Sequence, residues 1–253
     1  MVRMSLSNRL SAFRAHALEA AHAVLERFAP DLSREDVEFA RRYQGIYTMT
    51  SLERLVALRD AVRYLTKAGI PGAIVECGVW RGGSMMAAAE TLLACNSANR
   101  ELYLYDTFSG MTAPTVHDTD AVGVPAQAYA SAYLRRGESW CEATEEEVSV
   151  NLRSTGYPPA LVKLVPGNVE ETLPAHAPPQ IALLRLDTDF YESTRHELVT
   201  LYPRLAPGGV LIIDDYGYWS GARRAADEYF GHSNNAILLT RLDWTARLGI
   251  KLR

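Results

Sequence analysis

The spacing of apolar residues divides the chain into a helical beginning and an alternating remainder. Leu10, Phe13, Ala17, Ala21, Val24 and Phe28 recur at helical spacing, and Ser33 followed by Glu35 and Asp36 marks a second short helix. Residues 1–45 are therefore predicted to form a helical extension, and 46–253 the main domain. Thr50 and Glu53 make a candidate capping box, and Leu52, Leu55, Leu58, Val62 and Leu65 continue it as one apolar stripe ending at Gly69 to Gly72. Beyond it, β-rich runs at 73–78, 101–106, 161–165, 181–187 and 209–214 alternate with helical stretches near 84–95, 144–154, 191–205 and 220–230. Continuous apolar strands between helices predict a mostly parallel α/β sheet covered on both faces. Segments 236–240 and 249–253 supply two last strands, including an antiparallel hairpin, for seven in all. The stretch between Phe108 and Thr144 breaks the alternation, with a helix expected only at Pro125 to Arg136. Long connections of this kind are lids or disordered, and Tyr129, Tyr133 and Trp140 favour a lid over about 112–143.

Composition narrows the class without naming it. A chain of 253 residues with 48% hydrophobic side chains buries one substantial core. No apolar run approaches the roughly 18–20 residues that span a bilayer, and the N-terminus lacks the apolar stretch of a secretion signal, so a soluble, cytoplasmic protein is expected. Cys77, Cys95 and Cys141 show no metal-finger spacing, which argues against structural zinc and disulfides. The net charge of −4 comes with scattered arginines rather than a basic run, which excludes nucleic acid as the expected partner. The apolar stripe from Leu10 to Phe28 exceeds what a lone terminal helix exposes, so a homo-oligomer, a dimer or larger, is expected.

Chemistry gathers where the strands end. The first strand runs into Glu76-Cys77-Gly78-Val79-Trp80-Arg81-Gly82-Gly83-Ser84, a glycine loop in which Ser84 is a candidate cap for the next helix. It lacks the dinucleotide pattern, and an acid two residues before its first glycine would repel a pyrophosphate while suiting the ammonium of a methionine moiety. Asp106, closing the second strand, is placed to accept ribose hydroxyls. Asp187-Thr188-Asp189 and Asp214-Asp215 follow the fourth and fifth strands. Four carboxylates at adjacent strand ends call for a hard divalent cation, or else for ion pairs with Arg185, Arg223 or Arg224. His117, in the lid, is a candidate base.

The segments IPGAIVECGVWRGGSM (70–85), LYDTFSGM (104–111), PGNVEETLP (166–174), LRLDTDFYEST (184–194) and YPRLAPGGVLIIDDY (202–216) resemble the macrocin O-methyltransferase family. The resemblance runs from about Tyr47 to Phe230. It implies a Rossmann-like class I fold dependent on S-adenosylmethionine (SAM), and O-methylation of a deoxysugar hydroxyl on a glycosylated antibiotic or other secondary metabolite. It also implies that Glu76, Gly78 and Ser84 hold the methionine end of SAM and Asp106 its ribose, with Val79 and Phe108 also binding the cofactor and Thr48 and Met49 closing over it. Asp187, Asp214 and Asp215 would carry Mg²⁺, Asp187 also touching SAM and acting as the catalytic acceptor of the proton. Phe190 and Tyr191 stand where catechol-type enzymes have a lysine, so a lysine base is absent there. Two rivals remain at this stage: a glycosyltransferase using Asp187-Thr188-Asp189 as a DxD motif, which leaves the Glu76 loop unexplained, and a non-catalytic SAM-binding scaffold, which leaves the aspartates unexplained.

Overall fold

Valine, isoleucine and leucine dominate the five central runs, and each becomes a strand in the computed structural model, which describes residues 31–232 and 237–252. The strands are β1 (Ala73–Cys77), β2 (Leu102–Asp106), β3 (Val162–Pro166), β4 (Ile181–Leu186) and β5 (Leu205–Ile213), all parallel to one another. A short β6 (Thr240–Arg241) pairs antiparallel with β7 (Arg247–Ile250), which runs antiparallel to β5. The seven-stranded order is β3-β2-β1-β4-β5-β7-β6. The expected tail hairpin is present, although its strands are Thr240–Arg241 and Arg247–Ile250 rather than 236–240 and 249–253.

Every residue of β1 and β4 is buried, the condition of parallel strands covered on both faces. Ala73, Val75 and Cys77 of β1, Leu184 and Leu186 of β4, and Leu211 and Ile213 of β5 share one apolar cluster with Leu198 and Leu201. Side chains alternate along a strand, so Glu76, Arg185 and Ile212 face the other side, where Asp187 and Asp214 follow in the same phase. This alternation places a buried polar floor under one end of the sheet.

The helices of the larger unit, which begins at Tyr43, are α2 (Leu52–Lys67), α3 (Gly83–Ala94), α4 (Ala126–Arg136), α5 (Glu145–Ser154), the single turn α6 (Val169–Thr172), α7 (Tyr191–Leu201) and α8 (Ser220–His232). The described part of the N-terminal unit holds α1 (Arg34–Arg41), opened by a reciprocal cap in which Ser33 Oγ accepts from the Asp36 N–H and Asp36 accepts from the Ser33 N–H. The stripe Leu10 to Phe28 lies outside the described residues.

Two helix starts differ from expectation. Ser51, not Thr50, caps α2, accepting from the Arg54 N–H at 3.3 Å, because the Thr50 hydroxyl is taken by Arg185 and Thr48. Gly82, left-handed at φ 82°, stands at the cap of α3, so Ser84 falls inside the first turn. Helix α7 also stops at Leu201, and β5 starts four residues before the expected 209, since one tight turn over Tyr202–Arg204 joins them.

The segment expected to be a lid is docked. Asp118 accepts from the Tyr191 N–H at 2.8 Å, and Ser220 Oγ donates to the His117 carbonyl at 2.6 Å. Tyr129 and Trp140 pack against Phe190, Trp219 and Ala222. A Cβ at Gly221 would lie 1.9 Å from Asp118 Oδ1, so only glycine lets the two segments approach this closely.

Candidate active site

The neighbours of β1 are β2 on one side and β4 on the other, and at such a reversal a parallel sheet opens a crevice beyond its carboxyl edge. Gly78 (φ 79°) starts the loop there; a Cβ on it would meet the Asp187 carbonyl oxygen at 2.1 Å. The loop is held from β2: Asp106 accepts from the N–H groups of Val79 (2.8 Å), Trp80 (3.0 Å) and Phe108 (2.9 Å). A carboxylate has about four acceptor positions, so these three bonds order the loop and leave roughly one, which the Thr107 hydroxyl approaches at 3.5 Å. Tyr47 lies on the far side of the loop, its carbonyl accepting from the Gly83 N–H at 3.1 Å.

Beneath the loop sits the polar floor. Arg185 stands directly opposite Glu76 in the β1–β4 register, and its guanidinium reaches Glu76, Asp187 (2.6 Å), Asp214 (2.5 Å) and the Thr50 hydroxyl (2.8 Å). A second guanidinium, Arg54, pairs with Asp214 and with Asp243 at 2.9 Å. Both arginines were legible as anomalies. Arg185 is a lone charge in the apolar strand IALLRL, and Arg54 is a cation in the first turn of a helix, where the dipole disfavours one. Arg223 and Arg224 take no part: Arg223 donates to the carbonyls of Tyr216 and Gly217, and Arg224 pairs with Glu228.

Two arginines do not neutralise this floor. Burial pushes the Glu76 carboxyl to about 7 against the lowering pull of Arg185. Burial likewise raises Asp189 to about 7, despite hydrogen bonds with Asp215 and Trp219, and lifts Asp187 and Asp215 well above the carboxylate range, the nearby acids adding to it. Oxygens of Asp187, Asp214 and Asp215 lie within 4.8 Å of one another. Three clustered carboxylates in excess of their cations fit a hard divalent ion. The Glu76 Oε2 atom is buried without a hydrogen-bond partner and fits the ammonium of SAM.

Every predicted site residue except Phe108 lines a single cavity of about 450 Å³, and Asp189 joins them there. Phe108 is buried beside it. Asp189, Trp80 and Cys141 on its walls hold left-handed φ of 68°, 45° and 55°, a concentration of backbone strain characteristic of functional sites. His117 is not on this wall; its Nδ1 lies 2.8 Å from Arg224 and its ring packs edge-on against Tyr191. A wider groove of about 720 Å³ beside β3 bears Arg153, Lys163 and His176 but no carboxylate cluster.

Sheet order, glycine loop and the acids closing β1 and β2 define a class I SAM-dependent methyltransferase. Comparison with known proteins narrows the class. The macrocin O-methyltransferase (TylF) family profile matches residues 7–248, and the chain belongs to that family. It is 35% identical over 197 residues to the demethyldecarbamoylnovobiocin O-methyltransferase of Streptomyces niveus, covering 78% of this chain and 72% of that one. It is also 35% identical over 200 residues to an 8-demethyl-8-(2,3-dimethoxy-alpha-L-rhamnosyl)-tetracenomycin-C 4'-O-methyltransferase of Streptomyces olivaceus, covering 79% and 73%. Among solved structures, the O-methyltransferase NovP superposes with a TM-score of 0.72 at 31% identity, over 82% of this chain and 83% of that one. The protein is thus an O-methyltransferase of the type that tailors antibiotics, and the glycosyltransferase reading of Asp187-Thr188-Asp189 falls.

Proposed function

We propose that the enzyme transfers a methyl group from SAM to a hydroxyl of a deoxysugar on an antibiotic or related secondary metabolite, with a divalent cation such as Mg²⁺ held by Asp187, Asp214 and Asp215. The observation that carries this reading is the placing of those three carboxylates in the same cavity as the unpartnered Glu76 oxygen and the Gly78 cradle. SAM supplies the electrophilic methyl, and a divalent ion supplies the positive charge that acidifies a weakly acidic sugar hydroxyl.

The chain's own residues divide the remaining work. Glu76 binds the ammonium, Asp106 keeps the loop shaped and offers its last acceptor to the ribose, and Thr48 and Met49 cover the cofactor from above. The acceptor oxygen must stand about 3 Å from the methyl carbon, opposite the sulfur, which is a task of positioning. For the proton we assign Asp189 in place of Asp187. Asp187 is bound by Arg185 at 2.6 Å and is committed to the ion. Asp189 stands on the same cavity wall with no arginine partner among the described residues, a carboxylate left over for the proton.

Labelled SAM and a panel of glycosylated antibiotics, with and without Mg²⁺, test the reading. Methyl transfer that survives chelation would remove the ion from the mechanism. Asp189→Asn is expected to lower kcat by at least ~10²-fold while Mg²⁺ still binds, as measured by calorimetry, whereas Asp187→Asn loses the ion as well. A normal kcat in Asp189→Asn would return the proton to Asp187.

A further inference from the structure

Asp187 and Asp189 both line the cavity, but Thr188 between them is not on its wall. Residues 188–190 make a tight turn closed by the Phe190 N–H, which donates to the Thr188 carbonyl at 2.8 Å, with Asp189 at the centre at φ 68°. A three-residue turn with positive φ at its centre is rare and strained, and such backbone persists only where its surroundings over-determine it. Two ties do so here. The Asp187 N–H donates to the Cys77 carbonyl of β1 at 2.8 Å, and Thr188 Oγ1 donates to Glu197 Oε1 of α7 at 2.9 Å.

For folding alone, that glutamate is out of place. Glu197 is 0% exposed, its neighbour Leu198 belongs to the main apolar cluster, and Cys77 of the same cluster lies beside it. Burial raises its carboxyl well above the usual carboxylate range, so it stands as the neutral acid. Oε2 finds no partner among the described residues beyond the weakly donating Cys77 thiol. A half-satisfied acid in the core costs folding more than one hydroxyl bond returns, and an apolar side chain of the same size would serve the core better. The firm bond it makes is the one to Thr188, directly behind the two aspartates.

We infer that Glu197 is a positioning residue, one that fixes the Thr188 hydroxyl and through it the turn that presents Asp187 and Asp189 to the cavity together. It touches neither cofactor nor acceptor. The inference rests on the roles proposed above for Asp187 and Asp189 and adds the support that holds them in register with Asp214 and Asp215.

The full-length enzyme is compared with Thr188→Val/Glu197→Met, which replaces both partners by apolar groups of similar shape, and with Glu197→Gln, which keeps the acceptor oxygen. Mn²⁺ affinity by electron paramagnetic resonance reads the seating of Asp187, and amide exchange of Phe190 by nuclear magnetic resonance reads the turn itself. The double variant is expected to melt at or above the wild-type temperature and to bind S-adenosylhomocysteine within about twofold of wild type, because Glu76 and Asp106 are untouched. Mn²⁺ should bind it roughly 10–100-fold more weakly, and its Phe190 amide should exchange at least ~10-fold faster. Glu197→Gln should retain both properties. The inference is overturned if either readout keeps its wild-type value in the double variant, or if Glu197→Gln is as impaired as the double variant. A lower melting temperature together with lost S-adenosylhomocysteine affinity would make Glu197 a core residue and overturn it as well. Failure of the wild-type enzyme to bind Mn²⁺ would instead defeat the metal reading, and Phe190 exchange would then decide the positioning by itself.

Discussion

A charge inside an apolar strand is a commitment, and Arg185 shows how much one residue can organise. Its four partners include three carboxylates from different strands, so removing the guanidinium would leave buried anions facing one another. The aspartates were legible in the sequence because each follows an apolar run. Their partner Arg54 was legible only as an anomaly, a cation in a helix's first turn, while its pairing with Asp214 across 160 residues was not. The floor makes a prediction about pH. Asp189 in the folded, metal-free protein titrates at about 7, against an ordinary aspartate near ~4. A carboxyl raised in the folded state favours folding while protonated, so its contribution is complete below about pH 4 and is lost as the pH rises through about 7. The melting temperature of the metal-free enzyme, minus that of Asp189→Asn, should therefore fall across this window, and Mg²⁺ should abolish the fall. A flat difference between about pH 4.5 and 7.5 would show that Asp189 is not the group held protonated.

At the scale of elements, strands and long helices followed from period and apolar content, with errors confined to their ends. Thr50 and Ser51 illustrate why: both are good caps by type, and the choice fell to the residue whose hydroxyl was not claimed by Arg185. The segment from 107 to 144 was legible as an exception but not in its anchoring, which depends on Asp118 meeting the start of α7 and on Gly221 standing aside for it. Gly221→Ala sets a methyl group against the Asp118 carboxylate and the Tyr191 amide, contacts of 1.9 and 2.7 Å with no flexible side chain able to yield fully. Overpacking of this kind costs ~1–3 kcal/mol, and the strain should be relieved by release of the 112–125 loop. Limited proteolysis or hydrogen exchange localised to that loop is the expected readout; a variant whose loop stays as protected as before would show that Asp118 does not hold it.

For the whole molecule, the order of seven strands places the crevice, and the crevice gathers residues as distant in sequence as Met49 and Trp244. Those distant pairings were the part the sequence withheld, since hydrophobic period fixes which face a residue takes but not which neighbour it meets. Because Arg185 and Arg54 already offset part of the carboxylate charge, the fold is expected to form without a cation, unlike that of a zinc finger. Chelated enzyme should keep its near-ultraviolet circular dichroism and melt cooperatively, roughly 5–10 °C below protein held at 100 times the metal's dissociation constant. Loss of the near-ultraviolet signal on chelation would contradict this. An enzyme supported in this manner can be emptied and refilled without passing through disorder. On the proposed metal-dependent reading, turnover would follow the divalent-ion activity of its surroundings continuously, as a dial responds to a hand, while the protein itself persists unchanged between settings.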